Sequence, residues 1–122
     1  MWLHGSPRTV ARWAPLTPWS ARQLARRMAH LNRDDLVVYE GRRSGASPQA
    51  SSCIAITDTL TRAGLSNEPD VRPTSVAAWA GRTELERTGR IEDAARLLGV
   101  RSLDRAAAIV GWDWTNTQDG PT

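Results

Sequence analysis

Apolar residues recur at helical spacing in five stretches of this chain, and most of those stretches are bounded by glycine or by a hydroxyl residue followed by proline. Thr17-Pro18 supplies a side-chain cap and then proline at the first helical position. Leu24, Met28 and Leu31 follow at helical spacing, which predicts an amphipathic helix over 18–31 with its arginines turned to solvent. Ser47-Pro48 repeats the signal. Cys53, Ile56, Leu60 and Ala63 then fall on one face, and Gly64 stands where a C-terminal cap belongs. A third helix, from about Thr74 to Thr88, is expected to turn Val76, Trp79 and Ala80 to one side and to stop at Gly89. Two shorter helices follow, Ile91 to Leu98 closed by Gly99, and Leu103 to Val110 capped by Ser102 and closed by Gly111.

The rest of the pattern is weaker. Leu36-Val37-Val38-Tyr39 reads as one short strand, Gly41 to Gly45 as a turn, and residues 65–73 as a polar loop. Residues 1–15 show no periodicity and are expected to be a loose N-terminal arm, and residues 115–122 a frayed tail. The expected fold is mainly α: a compact bundle of about five helices with at most one or two short strands, forming a single domain over 16–114. At 122 residues there is room for one domain with a genuine core but not two. No apolar run approaches the roughly 20 residues of a membrane span, and the first ten residues lack the charged and apolar regions of a secretory signal. With Cys53 as the sole cysteine, a cytoplasmic protein without disulfides is expected.

Charge changes the picture more than composition does. All 16 basic residues are Arg, and Phe is absent while Trp occurs six times. Arginine suits bidentate phosphate contacts, but the simultaneous loss of Lys and Phe is better explained by a GC-rich genome. Residues 1–62 carry a balance of +5 and residues 63–122 a balance of −2. Attraction to phosphate therefore favours the N-terminal half.

Side chains able to do chemistry are scarce. His4, His30 and Cys53 have no metal-ligand spacing, and no cofactor is implied. Cys53 reads as a core residue on a helix face. Glu92 and Asp93 in a first helical turn complement the helix dipole and need no catalytic role. Gly41 to Gly45 lacks the lysine and the spacing of a phosphate-cradling loop. Arg42 and Arg43 within it either grip a phosphate or stand as a solvated turn. The tryptophans are read as core or cap packing in preference to base-stacking platforms. The one locally specific pattern is Ala94-Ala95-Arg96-Leu97-Leu98-Gly99-Val100. Small residues let a second helix approach, glycine allows a tight turn, and valine anchors it, as in a helix-turn-helix. The second helix, however, offers Leu103, Asp104, Arg105 and Ala106, so Arg101 and Arg105 are the only good phosphate or base readers there.

Residues Pro73 to Trp114 resemble the C-terminal part of the tyrosine recombinase (phage integrase) catalytic domain. In that family a helix opens with His-x-x-Arg; a Gly, a Leu-Gly pair, a His or Trp, and the nucleophilic Tyr come after it. Gly89 and Leu98-Gly99 match two of these landmarks. Upstream, Ala14-Pro15-Leu16-Thr17-Pro18, Asp35-Leu36-Val37-Val38 and Ala63-Gly64-Leu65 are similar to further family segments, so the resemblance spans nearly the whole chain. The catalytic positions are vacant. Thr74 and Ala77 replace the His and Arg, Val100 replaces the His or Trp, Ile109 replaces the Tyr, and the chain has no Lys to match the family's catalytic lysine.

The resemblance implies a truncated recombinase or integrase-like protein linked to DNA integration, recombination or a mobile element, catalytically inactive and at most DNA-binding. Its contacts would be to the DNA phosphate backbone, through Arg22, Arg26, Arg27, Arg42 and Arg43 and through Arg101 and Arg105. The alternatives are a protein-interaction or structural domain, homo-oligomeric or bound to a partner protein, in which Trp112 and Trp114 pack on the partner or the core, and an independent helix-turn-helix regulator.

Overall fold

A computed structural model of the protein describes residues 1–37 and 47–113. Among these the chain is mainly helical, with five helices and one two-stranded sheet. The helices are α1 (Pro18–Met28), α2 (Pro48–Arg62), α3 (Pro73–Thr88), α4 (Ile91–Leu98) and α5 (Leu103–Val110), and the strands are β1 (Trp2–Leu3) and β2 (Arg12–Trp13). Each helix lies within three residues of its expected bounds. Where single Leu-Val-Val-Tyr strand pairing was expected, Leu36 and Val37 belong to no strand, and Val38 and Tyr39 lie outside the described residues. The expected tail at 115–122 also lies outside them.

The chain divides into two compact units, one made of 1–14 with 74–122, the other of 15–73. This departs from the expected single domain over 16–114, and the departure begins at the N-terminus. Residues 1–14 are no loose arm. Trp2 pairs with Trp13 and Leu3 with Arg12 in an antiparallel hairpin, and Ser6 and Thr9 exchange backbone hydrogen bonds of 2.8 and 3.2 Å around Pro7-Arg8. A two-stranded hairpin alone is marginal in water, and here it is tied to the end of α4. The Val10 N–H donates to the Gly99 carbonyl at 2.8 Å, and Arg12 Nε donates to the Leu97 carbonyl at 2.6 Å. A cation bonded to the last carbonyls of a helix also complements the negative end of its dipole.

The core of this first unit is small and consists of Leu85, Ile91, Ala94, Ala95, Leu98, Ala106, Ala107 and Val110, with Val100, Ile109 and Trp112 packed half-buried against it. Alanines on both α4 and α5 face inward, so the two backbones come close. Helix α3 joins through Gly81 and Leu85, its only buried residues. Val76 and Trp79, the expected inner face, are exposed instead. A Cβ placed on Gly81 would lie 2.8 Å from Leu98 Cδ1 and 2.9 Å from Val110 Cγ1, so the helix crossing occupies the space a side chain would need.

The second unit contains α1 and α2, and neither helix has a buried residue. Thr17 Oγ1 and Ser47 Oγ accept from the backbone N–H groups of Ser20 and Ala50, as the cap-plus-proline signals predict. On α2, Ile56 and Leu60 are half-buried, but Cys53 is exposed, against its reading as a core residue. Ser52, Thr57, Thr59 and Thr61 of α2 donate their hydroxyls back to carbonyls one turn earlier, a habit that offers no packing and weakens a helix.

Candidate nucleic-acid interface

The α4–α5 pair is the best-formed local structure of the chain. Gly99 takes φ +72°, a left-handed conformation that costs glycine little. The Val100 N–H then returns to the Ala95 carbonyl at 3.1 Å and the Val100 side chain reaches the core, which closes the helix with a hydrophobic anchor. Three residues later α5 begins. The Ser102 hydroxyl accepts from the Arg105 N–H at 3.2 Å and fixes its first turn.

Most arginines near this pair have carboxylate partners. On α3, Arg82 meets Glu86 at 2.7 Å and Arg87 meets Glu84 at 2.7 Å. The Arg87 hydrogen bond holds the Glu84 carboxyl below its ordinary pKa, with desolvation opposing. At α4, Arg96 meets Asp93 at 2.7 Å, and Arg90 lies 3.9 Å from Glu92 and 4.0 Å from Asp93. Those arginines are spent on carboxylates one turn away. Arg101 in the α4–α5 turn and Arg105 in the first turn of α5 are exposed and form no ion pair among the described residues. Asp104 between them is exposed too. With Asp113 it borders an open groove of about 580 Å³ lined also by Ala107, Ala108, Gly111 and Trp112, and the Asp104 carboxylate repels phosphate.

The remaining expected contacts lie in the other unit or outside the described residues. Arg22 and Arg26 are exposed on α1, a helix with no acidic residue, and Arg26 Nη1 donates to Gln23 Oε1 at 3.4 Å. Arg27 is half-buried and donates from Nε to the Val37 carbonyl at 3.2 Å, so part of its fork serves the fold. Arg42 and Arg43 lie outside the described residues.

The positions matching the family's catalytic residues are distributed as follows. Thr74 and Ala77 are exposed in the first turns of α3. Val100 and Ile109 pack against the core, so these two positions face packing rather than an open site. Among the described residues no group of His, Cys, Asp and Glu could hold a metal ion, and no helix is long and apolar enough to cross a membrane.

Two features escaped the sequence pattern. Arg12, far from α4 in sequence, clamps its C-terminus, which no local signal announces. The tryptophans are the other. Trp2, Trp13, Trp19 and Trp79 are all exposed and only Trp112 is half-buried, against their reading as packing residues; Trp114 lies outside the described residues. Comparison with protein-family models, with curated proteins and with solved structures finds no match to this chain.

Proposed function

We propose that this chain is a recombinase- or integrase-like protein that associates with DNA through the phosphate backbone and does not itself cleave it. The observation that carries the reading is the contrast in arginine partners. The arginines of α3 and α4 are neutralised locally, whereas Arg101 and Arg105 stand unpaired at the turn and start of α5. Arginines at the N-terminal end of the second helix of such a pair are the groups that meet a duplex. The acid-free helix α1, with Arg22, Arg26 and Arg27, adds sequence-independent attraction, as do Arg42 and Arg43. Asp104 and the groove beside it limit how much of α5 can approach phosphate, which favours backbone contact over base reading.

The inactive half of the proposal rests on the vacant positions. Strand cleavage needs a tyrosine oxygen attacking phosphorus while arginine and histidine stabilise the developing charge. Val100 and Ile109, half-buried against the core, supply neither. A covalent adduct with supercoiled DNA would overturn this half.

A DNA titration at two salt concentrations tests the binding half. Affinity should fall with log[salt], with a slope near −0.9 per phosphate neutralised, and similarly for unrelated duplexes. Arg101→Ala with Arg105→Ala should reduce that slope by about 2. Binding that ignores both salt and the double substitution sinks the proposal.

One observation favours a second reading, a protein-interaction domain. The unit over 15–73 has no buried side chain among its described residues, while Leu16, Trp19, Met28, Leu36, Ile54 and Leu65 are exposed. Scattered apolar exposure is ordinary, but a unit with no buried residue among those described leaves these side chains available to a partner. A stable homo-oligomer at micromolar concentration, seen by light scattering, would support this reading.

A further inference from the structure

The bonds that tie the N-terminal hairpin to α4 end on the turn that carries Arg101. Residues 99–102 connect α4 to α5. Their far end is fixed locally, by the Ser102 hydroxyl on the Arg105 N–H. Their near end is Gly99, and glycine loses more conformational freedom on folding than any other residue. Restraint by distant groups therefore matters most there. The Gly99 carbonyl, at a helix end without an intrahelical donor, accepts the Val10 N–H at 2.8 Å. The Leu97 carbonyl accepts from Arg12 Nε at 2.6 Å, and Arg12 Nη1 also donates to the Val10 carbonyl at 3.2 Å. One guanidinium thus joins the hairpin strand to the helix end.

That guanidinium lies against the Gly99 backbone. A Cβ on Gly99 would fall 2.5 Å from Arg12 Nη1 and 2.7 Å from Arg12 Cζ. Glycine is required there for the arginine's approach as well as for a φ of +72°. Gly89, which follows α3 with φ +70°, has nothing within 4 Å of the same position. The hairpin and the α4–α5 turn belong to one compact unit.

We infer that Arg12 is a positioning residue for the duplex contact, a role that rests on the phosphate-backbone reading above. Through Leu97 and Gly99 it holds the α4–α5 turn in the conformation that presents Arg101 and starts α5 ahead of Arg105, without itself touching DNA. The physical content is preorganisation. An arginine on a loose turn must be ordered when it meets a phosphate, and that ordering subtracts from affinity. With the hairpin in place the ordering is complete before binding. Asp104, exposed between the two arginines, raises the demand on orientation, because a turn free to swing brings its carboxylate to the phosphates as well.

Duplex titrations over a range of salt test it on the full chain, at a temperature where circular dichroism shows every variant folded. Arg12→Ala removes the clamp. Gly99→Asn keeps the arginine's charge and a residue that tolerates the left-handed region, but its Cβ displaces the guanidinium. Gly89→Asn makes the same exchange where there is space, and should bind as the wild type does. Both clamp variants should lose about five- to thirty-fold in affinity, the cost of fixing one more backbone residue on binding. Their slopes against log[salt] should not change. With Arg101→Ala and Arg105→Ala already in place, Arg12→Ala should have no further effect. In the protein alone, the Val100 amide, bonded to the Ala95 carbonyl, should exchange at least about ten-fold faster in both clamp variants, measured against the Val110 amide. A slope reduced by about 0.9 in Arg12→Ala makes Arg12 a phosphate contact in its own right and overturns the inference. So do an additive loss in the triple variant, unchanged Val100 exchange, and a loss in Gly89→Asn equal to that in Gly99→Asn. If Arg101→Ala with Arg105→Ala binds as the wild type does, the duplex reading fails and the positioning role falls with it. A loss confined to that double variant, with both clamp variants unaffected, sinks the positioning role alone.

Discussion

Gly81 is the residue at which composition and packing disagree most. Glycine in a helix interior costs up to about 1 kcal/mol relative to alanine, so Gly81→Ala ought to stabilise α3 considered alone. In the folded unit the added methyl would fall 2.8 Å from Leu98 and 2.9 Å from Val110, both of which are buried and have little room to yield. Overpacking of that kind costs about 1–3 kcal/mol. The packing effect wins, and Gly81→Ala is expected to lower stability by on the order of 1 kcal/mol in thermal or denaturant unfolding. An unchanged or raised midpoint would show that α3 does not cross α4 and α5 this closely. Arg12 illustrates the same point from the other side. Its hydrogen bond to Leu97 is charge-assisted and part-buried, of the kind worth about 1.5–3 kcal/mol, and it turns an apparently featureless N-terminus into part of the structure.

At the scale of elements, local signals carry far. Thr17, Ser47 and Ser102 were each read as caps, and each hydroxyl accepts a first-turn N–H. Gly64, Gly89, Gly99 and Gly111, read as stops, all adopt positive φ. Capping matters most for α5, which has only eight residues and is too short to be stable without packing. Ser102→Ala is expected to cost about 1 kcal/mol, whereas Thr17→Ala on α1, which buries nothing, should change global unfolding much less. A chemical-denaturation comparison of the two variants decides it, and equal effects would contradict a core confined to the first unit. The packed face of α3 differs from the expected one for a physical reason. Val76, Trp79 and Ala80 make the more hydrophobic stripe, but the face that packs is the one bearing Gly81 and Leu85, because alanine-lined α4 and α5 allow a close crossing there. Hydrophobicity counts cannot rank a glycine as a contact residue.

At the scale of the molecule, stability should be uneven. Among the described residues, all the buried apolar side chains belong to α3, α4 and α5, and α1 and α2 have none. Regions with few buried contacts open locally at a small free-energy cost. Amides of Ala95, Leu98, Ala107 and Val110 should therefore exchange only through global unfolding, while those of α1 and α2 exchange orders of magnitude faster. Native-state hydrogen exchange reads this directly; equal protection across the two units would show that the second is covered by something the isolated first unit does not need. Charge at this scale was legible in outline. The positive excess of residues 1–62 is a property of composition, but which arginines remain free for a ligand is decided by neighbours. Arg87 and Arg96 are consumed by Glu84 and Asp93, while Arg101 and Arg105 are not.

The order and near bounds of the five helices, their caps and their glycine stops were set by the sequence itself, because each depends on residues within one turn of another. That Thr74, Ala77, Val100 and Ile109 stand where a tyrosine recombinase would carry other residues was equally legible, since residue identity at a position needs no coordinates. Tertiary structure alone decided that the first fourteen residues form a hairpin held by Arg12 and Val10 on α4, that α3 packs through a glycine, and that the Trp2–Trp13 pair stands open. These arise from contacts between residues distant in sequence, some more than eighty positions apart, and no local period or spacing encodes which distant partners meet.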